Sequence, residues 1–203
     1  MITNAQTHLS KDAKLKSLID TIELDYHWHP NQQGDAFAYL LRSIIGQQVS
    51  IQAAAKIHQR FLGLFEQNYP DANLLIQLDE TALRAVGLPL QKAGYVKNVA
   101  NFFLTQQLFD TDWTALSDED IIKYLTTIKG VGKWTVEIML MFCLNRGNVF
   151  PIDDLGIQQT IIRLYGLNAS GKALKQQLLD TAAPWQPYRT LACYYLWSWK
   201  HTW

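Results

Sequence analysis

A glycine-containing hairpin between two helix-forming segments is the feature that most constrains how this chain folds. It lies in the sequence Leu125-Thr-Thr-Ile-Lys-Gly-Val-Gly-Lys-Trp-Thr135. Before it, Ser117 precedes segment 118–126 in the arrangement of a helix N-cap. After it, segment 133–144 carries apolar residues at helical spacing, namely Val136, Met139, Leu140 and Cys143. The sequence therefore predicts a helix, a tight hairpin and a second helix.

The two glycines of the hairpin, Gly130 and Gly132, indicate what it binds. Glycine readily adopts positive φ and has no side chain to block the approach of another molecule. The second helix begins just after them, and the N–H groups of its first turn attract anions. We expect a DNA phosphate to contact this element without readout of base sequence, through Gly130, Val131, Gly132, Lys133 and Thr135. A Gly-x-Gly pair alone is also common in ordinary helical turns.

Helical periodicity recurs along the whole chain and predicts an all-α fold. No run alternates as a β-strand does. The predicted helices are 11–25, 37–45, 50–65, 79–86, 90–107, 118–126, 133–144, 155–165, 171–183 and 187–200. In segment 155–165 we expect a buried face of Leu155, Ile161, Leu164 and Tyr165, and Gly166 to end the helix.

Five motifs together resemble a known family. They are Leu41-Arg-Ser-Ile-Ile-Gly-Gln-Gln-Val-Ser-Ile-Gln-Ala-Ala-Ala-Lys56, Gly87-Leu-Pro-Leu-Gln-Lys92, Gly130-Val-Gly-Lys-Trp-Thr135, Pro151-Ile-Asp-Asp154 and the stretch from Pro187 to Trp197. Their pattern is similar to that of the HhH-GPD superfamily of DNA glycosylases, and in particular to AlkA-type 3-methyladenine DNA glycosylases II. The resemblance covers the chain from Phe37 to Trp199.

The resemblance implies an all-α HhH-GPD fold, with residues 1–203 forming one glycosylase unit of two helical subdomains that flank an active-site cleft. One subdomain would run from about 35 to 137 and include part of the helix-hairpin-helix element, 118–144. The other would combine 1–34 with 138–203. The residues before the core are too few for the N-terminal β-rich domain of some relatives, so we expect a compact form.

Two aspartates follow the hairpin, and the resemblance gives them different roles. Asp154 matches the family's catalytic aspartate, whereas we assign Asp153 as the helix N-cap. Asp154 would stabilise the positive charge that develops on the deoxyribose as the N-glycosidic bond breaks. One carboxylate suffices because an N-alkylated purine is already charged when it leaves, whereas O-glycosidases need a second acid. The sequence leaves open whether Asp154 acts as a base or as an electrostatic stabiliser.

The residue after Gly-x-Gly-x separates two reaction types within the family. Members that also cut the DNA strand have a lysine there, whose amine forms a Schiff base with the sugar. This chain has Trp134 instead. The resemblance therefore implies a monofunctional glycosylase without AP-lyase activity, which excises 3-methyladenine, 7-methylguanine and related lesions from duplex DNA in base excision repair.

A base inside a duplex must be flipped out into a pocket before it can be excised. By resemblance, Trp134 and Trp197 line this base pocket, and Ile138 takes a position where a related enzyme has an aromatic residue. Tyr124 is a candidate for a further pocket wall, without support from the resemblance. An indole face attracts a cationic methylated purine by about 0.5 to 2 kcal/mol per ring, more than it attracts the neutral base. The chain has seven tryptophans, and we assign three others to the core or the surface: Trp185, Trp199 and Trp203.

Base flipping also requires a side chain that fills the vacated space in the duplex. Gly46-Gln47-Gln48-Val49 interrupts two predicted helices. By resemblance Gln48 matches the intercalating residue, and Gln47 is the other candidate. Leucine is more usual there, so this plug would be polar and would hydrogen-bond the widowed base. The alternative for a glutamine pair on a turn is simple solvent exposure.

The resemblance implies no catalytic cofactor. It does suggest a structural sodium or potassium ion, held by the backbone carbonyls of Thr126, Ile128 and Val131. Cys143 and Cys193 are too few for the four-cysteine iron–sulfur cluster of some relatives or for a zinc site.

The charge and composition are compatible with a DNA-binding protein only if basic residues cluster locally. Eighteen basic residues balance eighteen acidic ones, whereas a protein that grips phosphate is locally basic. Six basic residues are expected near DNA-facing elements: Lys92, Lys97, Lys129, Lys133, Arg163 and Lys172. The chain has no apolar run of ~20 residues and no apolar signal peptide, so we expect a cytoplasmic, nucleoid-associated monomer that does not engage a membrane.

Two other functions remain open from the sequence. One is a glycosylase for deaminated or oxidised bases. The other is a non-catalytic helix-hairpin-helix module that binds DNA on behalf of a partner. Asp154 together with Trp134 and Trp197 favours the alkylpurine glycosylase, because a binding module needs neither a carboxylate nor an aromatic pocket.

Overall fold

The computed structural model of the protein describes residues 2–24, 33–200 and 202. Twelve α-helices lie in these residues: α1 (Ile2–Leu9), α2 (Ala13–Ile19), α3 (Ala36–Gly46), α4 (Ile51–Leu62), α5 (Ala72–Gln77), α6 (Glu80–Ala85), α7 (Leu90–Thr105), α8 (Asp118–Leu125), α9 (Lys133–Phe142), α10 (Leu155–Tyr165), α11 (Gly171–Ala182) and α12 (Arg189–Lys200). The described part contains no β-strand, which confirms the all-α prediction. None of the described helices combines the length and apolarity needed to cross a membrane. Trp203 lies outside the described residues.

The contacts of the chain divide it into two compact units. One is Gln33–Met139, and the other combines Met1–Gln32 with Leu140–Trp203. The resemblance places the subdomain boundaries near residues 35 and 137. The division falls within α9.

Helices α3 and α7 form the centre of the unit Gln33–Met139, where they pack against each other. The buried stripe of α3 follows the spacing i, i+3, i+4, i+7 and i+8, which places its side chains on one face. Its members are Phe37, Leu40, Leu41, Ile44 and Ile45. Side-chain oxygens cap the first turns of five helices in this unit and so fix where each begins: Asp35, Ser50, Asp71, Asp79 and Ser117.

In the other unit, α12 packs against α10 and α2, and Asp12 links three of its elements. One carboxylate oxygen of Asp12 caps α2, and the other accepts from the Tyr165 hydroxyl at 2.6 Å and from the Trp185 indole at 3.1 Å. Burial raises the pKa of Asp12, but these hydrogen bonds outweigh burial and leave the pKa below its ordinary value. Burial and the Asp12 carboxylate raise the pKa of Tyr165. Trp185 is 1% exposed, so of the core and the surface, the two places predicted for it, it takes the core.

The helices differ from the prediction at particular places. Helices α1 and α5 were not predicted, because each is too short to show a clear helical period. The helix predicted over 11–25 is only α2, since Asp12 caps its start and Asp20 its end. Leu155 is 69% exposed, so its predicted burial is wrong: it directly follows the N-cap at the open end of α10, and Ile157 takes the buried position. Gly166 ends α10 in the left-handed conformation, as predicted.

Candidate active site

The hairpin joins α8 to α9, and its apolar side chains anchor it in the unit Gln33–Met139. Leu125, Ile128 and Val131 are each at most 5% exposed. The Val131 N–H donates to the Ile128 carbonyl at 3.0 Å and closes the turn. The Ser117 hydroxyl accepts from the Asp120 N–H at 3.1 Å and starts α8, as predicted. The turn is thus fixed from within, and Gly132 stays exposed.

Gly130 takes the positive φ predicted for it, and the packing beneath it requires a glycine. Its φ is +106°, and a Cβ added there would lie 2.2 Å from Cγ of Tyr95. One turn further along α7, the Asn98 side-chain amide donates to the Lys129 carbonyl at 3.0 Å. The hairpin backbone therefore lies directly on α7.

Gly132 does not take the positive φ that its sequence allows. The residue accepts the first hydrogen bond of α9, from the Val136 N–H at 3.2 Å, and this helix start needs no left-handed backbone. No heavy atom lies within 4 Å of the position that a Cβ would take. The missing side chain thus matters only to a molecule that approaches from outside. By helix geometry, the N–H groups of the first turn of α9 have no acceptor within the helix.

Lys133 and Thr135 differ in whether their side chains can reach a phosphate. The Lys133 side chain is 51% exposed, and its ammonium lies 3.3 Å from the carboxylate of the buried Glu137. Thr135 is only 4% exposed, because it lies with Val136 on the inner face of α9. The predicted phosphate contact of Thr135 is therefore wrong for its hydroxyl, and only its backbone N–H belongs to the first turn.

The other predicted pocket residues of this unit have separate surroundings. Trp134 is 43% exposed at the start of α9, and Ile138 lies one turn later and is half-buried. The ring of Tyr124 packs on Phe102 at 5.1 Å, and its hydroxyl donates to Gln106 at 3.0 Å. The structure thus gives Tyr124 a packing role between α8 and α7.

The two glutamines between α3 and α4 are held differently. Gln48 is exposed and has a φ of 56°, in the left-handed region. Gln47 is half-buried, and its side-chain amide donates to the Gly130 carbonyl over a long 3.5 Å. Gln47 therefore faces the hairpin, whereas Gln48 extends from the turn into solvent.

Lys92 fixes the turn that carries these glutamines. Its ammonium donates to the carbonyls of Ile45, at 2.9 Å, and Gln47. Burial lowers the pKa of Lys92. Lys97 donates in the same manner to the Leu78 carbonyl. Lys92 thus lies beside the turn that carries the glutamines, as expected, but the ammonium groups of Lys92 and Lys97 are both bound to carbonyls at helix ends.

The hairpin and the turn at residues 46–49, which we call the glutamine turn, together form the candidate DNA-binding surface. Three residues of α7 support this surface, and sequence reasoning missed their role. Lys92 holds the glutamine turn, while Tyr95 and Asn98 support the hairpin. Their spacing of i, i+3 and i+6 on one predicted helix was the signal that they share a face. Among the other expected basic residues, Lys129, Lys133 and Lys172 are exposed, and the Arg163 guanidinium lies 5.7 Å from the Trp199 ring centre.

In the other unit, Asp154 stands at the N-terminus of α10. Its Oδ1 atom accepts from the Ile157 N–H at 2.8 Å, which makes Asp154 the N-cap. Asp153 was expected to be the cap and is not: it is exposed and pairs with Lys175 at 3.0 Å. The reason is its position in the chain: the N-cap is the residue immediately before Leu155, the first residue of α10.

Trp197 lies beside Asp154, as the predicted pocket requires. Its indole Nε1–H donates to Oδ1 of Asp154 at 3.1 Å. A Cβ on Gly156 would lie 3.0 Å from this oxygen and 3.3 Å from the Trp197 ring. Gly156 therefore leaves the space in which the indole reaches the carboxylate, a role that the sequence did not reveal.

Two further aromatic residues complete the surroundings of Trp197. Phe142 is 44% exposed and stacks on Trp197 with ring centres 5.8 Å apart, and Tyr194 packs edge-on against Trp197 at 6.0 Å. Sequence reasoning missed both, although Tyr194 and Trp197 are spaced i, i+3 on one helix. Asp154 and these rings belong to one unit, whereas the hairpin, Trp134 and Gln48 belong to the other.

Comparison with known proteins decides the family. Residues 41–184 match the model of the HhH-GPD superfamily of base excision DNA repair proteins. The chain belongs to the HhH-GPD superfamily. It is 32% identical over 204 residues to the DNA-3-methyladenine glycosylase 1 of Schizosaccharomyces pombe, and the match covers 97% of this chain and 87% of that protein.

Solved structures of the superfamily agree in fold. The S. pombe 3-methyladenine DNA glycosylase, in complex with abasic DNA, matches with a TM-score of 0.77 at 31% identity, over 96% of this chain and 95% of that one. A DNA-3-methyladenine glycosidase from Bacillus halodurans matches with a TM-score of 0.79 at 31% identity, over 97% and 88% of the two chains. The chain spans about half the length of several other curated relatives.

Proposed function

We propose that this HhH-GPD protein is a monofunctional DNA N-glycosylase that excises alkylated purines, among them 3-methyladenine and 7-methylguanine, from duplex DNA. The observation that carries the proposal is the carboxylate of Asp154, which is held by the Ile157 N–H and the Trp197 indole. A module that only bound DNA would have no need of a half-buried acid fixed beside a partly exposed aromatic stack.

Asp154 acts on charge that develops during the reaction. As the bond from C1′ to the purine breaks, the deoxyribose becomes oxocarbenium-like, and a fixed carboxylate beside it stabilises that charge. The two donors hold Asp154 in position before the substrate arrives, so no reorganisation is needed during the reaction. The alkylated purine leaves as a neutral base because it was cationic in the nucleotide, so no second acid is required.

The aromatic groups give selectivity for damaged purines. The rings of Trp197 and Phe142 stack near Asp154, and Phe142 is 44% exposed. A cationic purine is attracted to such ring faces by about 0.5 to 2 kcal/mol each, whereas an undamaged base gains only stacking. In the unit Gln33–Met139, Trp134 is 43% exposed, and its indole face would attract a cationic purine in the same way.

The unit Gln33–Met139 binds the DNA backbone in this proposal. The open approach to Gly132 and the exposed Lys133 support a phosphate site at the start of α9. The exposed Gln48, rather than Gln47, is the side chain that enters the duplex when the nucleotide flips out, because the Gln47 amide is directed at the hairpin.

The absence of AP-lyase activity is part of the same proposal. The position that carries the Schiff-base lysine in strand-cleaving relatives is Trp134 here, and an indole nitrogen cannot form that adduct. The protein should therefore leave an intact abasic site.

A monovalent cation at the hairpin fits the carbonyl groups present there. The Ile128 carbonyl accepts one hydrogen bond, from Val131, and a carbonyl oxygen has a second lone pair for an ion. The carbonyls of Thr126, Ile128 and Val131 would hold sodium or potassium. Such an ion would add positive field where a phosphate binds.

The proposal is tested with methylated duplex DNA and matched aspartate variants. We expect the wild type and Asp153→Asn to release free 3-methyladenine at similar rates, and Asp154→Asn to be slower by about 100-fold or more. Asparagine caps helices as well as aspartate does, so Asp154→Asn should keep its fold. Equal rates in all three proteins would refute the catalytic role of Asp154, and strand cleavage without alkali would refute monofunctional chemistry.

A further inference from the structure

Two cavities in the unit Gln33–Met139 share lining residues and lie apart from the hairpin. One, of about 580 Å³, lies beside the bend Glu66–Asn68 and the start of α5. The other, of about 410 Å³, lies at the start of α3. Tyr69 and Phe109 line both. We refer to the two together as the Tyr69–Phe109 groove.

The groove lies at the opposite ends of α3 and α7 from the candidate DNA-binding surface. Its lining includes Phe37, near the start of α3, and Leu104, near the end of α7. The glutamine turn follows the end of α3, and Tyr95 supports the hairpin from the first half of α7. A helix rises 1.5 Å per residue, so the length of α3 separates the two regions by about 16 Å. A ligand in the groove would therefore not occupy the phosphate site.

The groove exposes large apolar side chains that are already fixed in place. Tyr69 is 49% exposed, Phe109 47% and Leu74 38%. The Tyr69 hydroxyl donates to Asp35 at 2.6 Å, and Phe109 packs edge-on against Phe37 with ring centres 5.2 Å apart. Rigid, exposed aromatic groups that face a concave space are typical of surfaces that bind other molecules, because little side-chain entropy is lost on binding.

The charge of the groove is of one sign. Glu66 and Asp71 line the larger cavity and Asp35 the smaller one, and no lysine, arginine or histidine occurs among the described residues that line either. Such a rim repels DNA phosphates and attracts cations. Asp35 and Asp71 also cap helices, so their charge is partly compensated, whereas Glu66 is exposed at the rim.

The rim of the groove retains an unfavourable backbone. Gln67 and Asn68 follow each other with φ values of 58° and 54°, both in the left-handed region. Such residues carry backbone strain, and strained residues cluster at ligand-binding positions. Gln67 lines the larger cavity, so this strained bend shapes the groove.

We propose that the Tyr69–Phe109 groove binds a short basic segment of a partner protein. One aromatic or long aliphatic side chain of that segment would lie against Tyr69 and Phe109, and flanking lysine or arginine residues would pair with Glu66 and Asp71. The proposal does not depend on the excision activity. The groove would let the protein contact its partner while it remains on DNA.

The test uses a defined probe, the acetylated heptapeptide amide Lys-Arg-Lys-Phe-Arg-Lys-Arg, titrated into the full chain and followed by NMR and calorimetry. We expect saturable binding, with signals of Tyr69, Leu74 and Phe109 shifting first. Replacing the peptide's phenylalanine with alanine, or Glu66 with lysine in the protein, should each weaken binding at least fivefold. Glu119→Lys, which reverses an exposed acid on α8, should bind as the wild type does.

Each other result decides against the proposal. Failure of millimolar peptide to saturate the protein would overturn it. Equal weakening of peptide binding by Glu66→Lys and Glu119→Lys would also overturn it, because it would indicate only general attraction between opposite charges. Shifts confined to the hairpin would place the peptide at the DNA site instead. Because Glu66→Lys is an exposed change, it should melt at the wild-type temperature and excise methylated bases at the wild-type rate.

Discussion

The indole Nε1–H of Trp197 and the backbone N–H of Ile157 both donate to a single oxygen of Asp154, at 3.1 and 2.8 Å. The candidate catalytic acid is thus held by a helix end and by a pocket wall at once. Trp197 also stacks on Phe142. A base that contacted these two rings would therefore also contact the indole that orients the Asp154 carboxylate. In the proposed function, substrate recognition and the position of the carboxylate would therefore be coupled through the side chain of Trp197.

Replacing Trp197 with phenylalanine separates these two roles. The ring is retained, but Asp154 loses one hydrogen bond, and a bond to a charged group contributes roughly 1.5–3 kcal/mol. We expect the single-turnover rate of 3-methyladenine release to fall about 10-fold or more, with little change in DNA affinity. Trp199→Phe, two residues along α12, is the matched control. A wild-type rate for Trp197→Phe would mean that the ring alone matters.

Gly156→Ala tests the space between the acid and the indole. Alanine favours helix by up to about 1 kcal/mol over glycine, yet its Cβ would lie 3.0 Å from the Asp154 oxygen and press on Trp197. We expect slower excision in a protein whose melting temperature stays within about 4 °C of the wild type. Lower stability with an unchanged rate per folded molecule would show that Gly156 serves only packing.

Local sequence patterns predicted the helices well because capping and periodicity are local. The cap Ser117 and the apolar spacing of segment 133–144 predicted where α8 and α9 begin, and nearly where they end. Asp154 and Trp197 could be assigned to one site only by the family resemblance, because 43 positions separate them and no local pattern links them. What brings them together is the packing of α10 on α12 and the missing side chain of Gly156.

Two differences from the prediction depend on contacts that the sequence does not show. Lys92 was expected near a DNA-facing element as a source of local positive charge, but its ammonium donates to carbonyls at the end of α3, which only the packing of α3 on α7 brings near. The sequence allowed positive φ at both hairpin glycines, yet of the two only Gly130 takes it, and only at Gly130 would a Cβ collide with Tyr95.

The two hairpin glycines should respond differently to alanine. Gly130→Ala places a Cβ 2.2 Å from Tyr95 and forces φ of +106° on an alanine, so we expect a loss of several kcal/mol, on the order of overpacking plus backbone strain. Gly132→Ala meets no atom within 4 Å, so its fold should be retained. Thermal melts and DNA-binding titrations should show an unstable Gly130→Ala and a stable Gly132→Ala with weaker DNA binding. Undiminished binding by Gly132→Ala would exclude phosphate contact there.

Gln48→Ala tests the proposed plug. The exposed amide is needed only where a base must be replaced within a stacked duplex, so excision from duplex DNA should slow about 10-fold while excision from single-stranded DNA changes little. Alanine at Gln48 also meets a left-handed backbone, with φ of 56°. Gln67→Ala is the control for the loss of stability on placing alanine in a left-handed backbone, because Gln67 is exposed with φ of 58° in the same unit. Similar slowing on both substrates would argue against intercalation.

Asp12→Asn should change the acid stability of the unit that contains Asp154. Hydrogen bonds from Tyr165 and Trp185 overcome the effect of burial and hold the pKa of Asp12 below its ordinary 3.8. Folding therefore favours the ionised form, and this stabilisation is full above about pH 5 and is lost as the pH falls through the folded pKa. Asparagine keeps the cap but not the charge.

We accordingly expect Asp12→Asn to melt about 4–10 °C below the wild type at neutral pH, from the loss of charge-assisted hydrogen bonds. The difference should shrink as the pH is lowered from about 5 to about 2, because the wild type then protonates Asp12 as well. Circular dichroism melts across this range measure it, with Asp20→Asn, an exposed change at the end of α2, as the control. A difference that stays constant with pH would mean that the charge of Asp12 contributes nothing and that the Tyr165 and Trp185 contacts act only through shape.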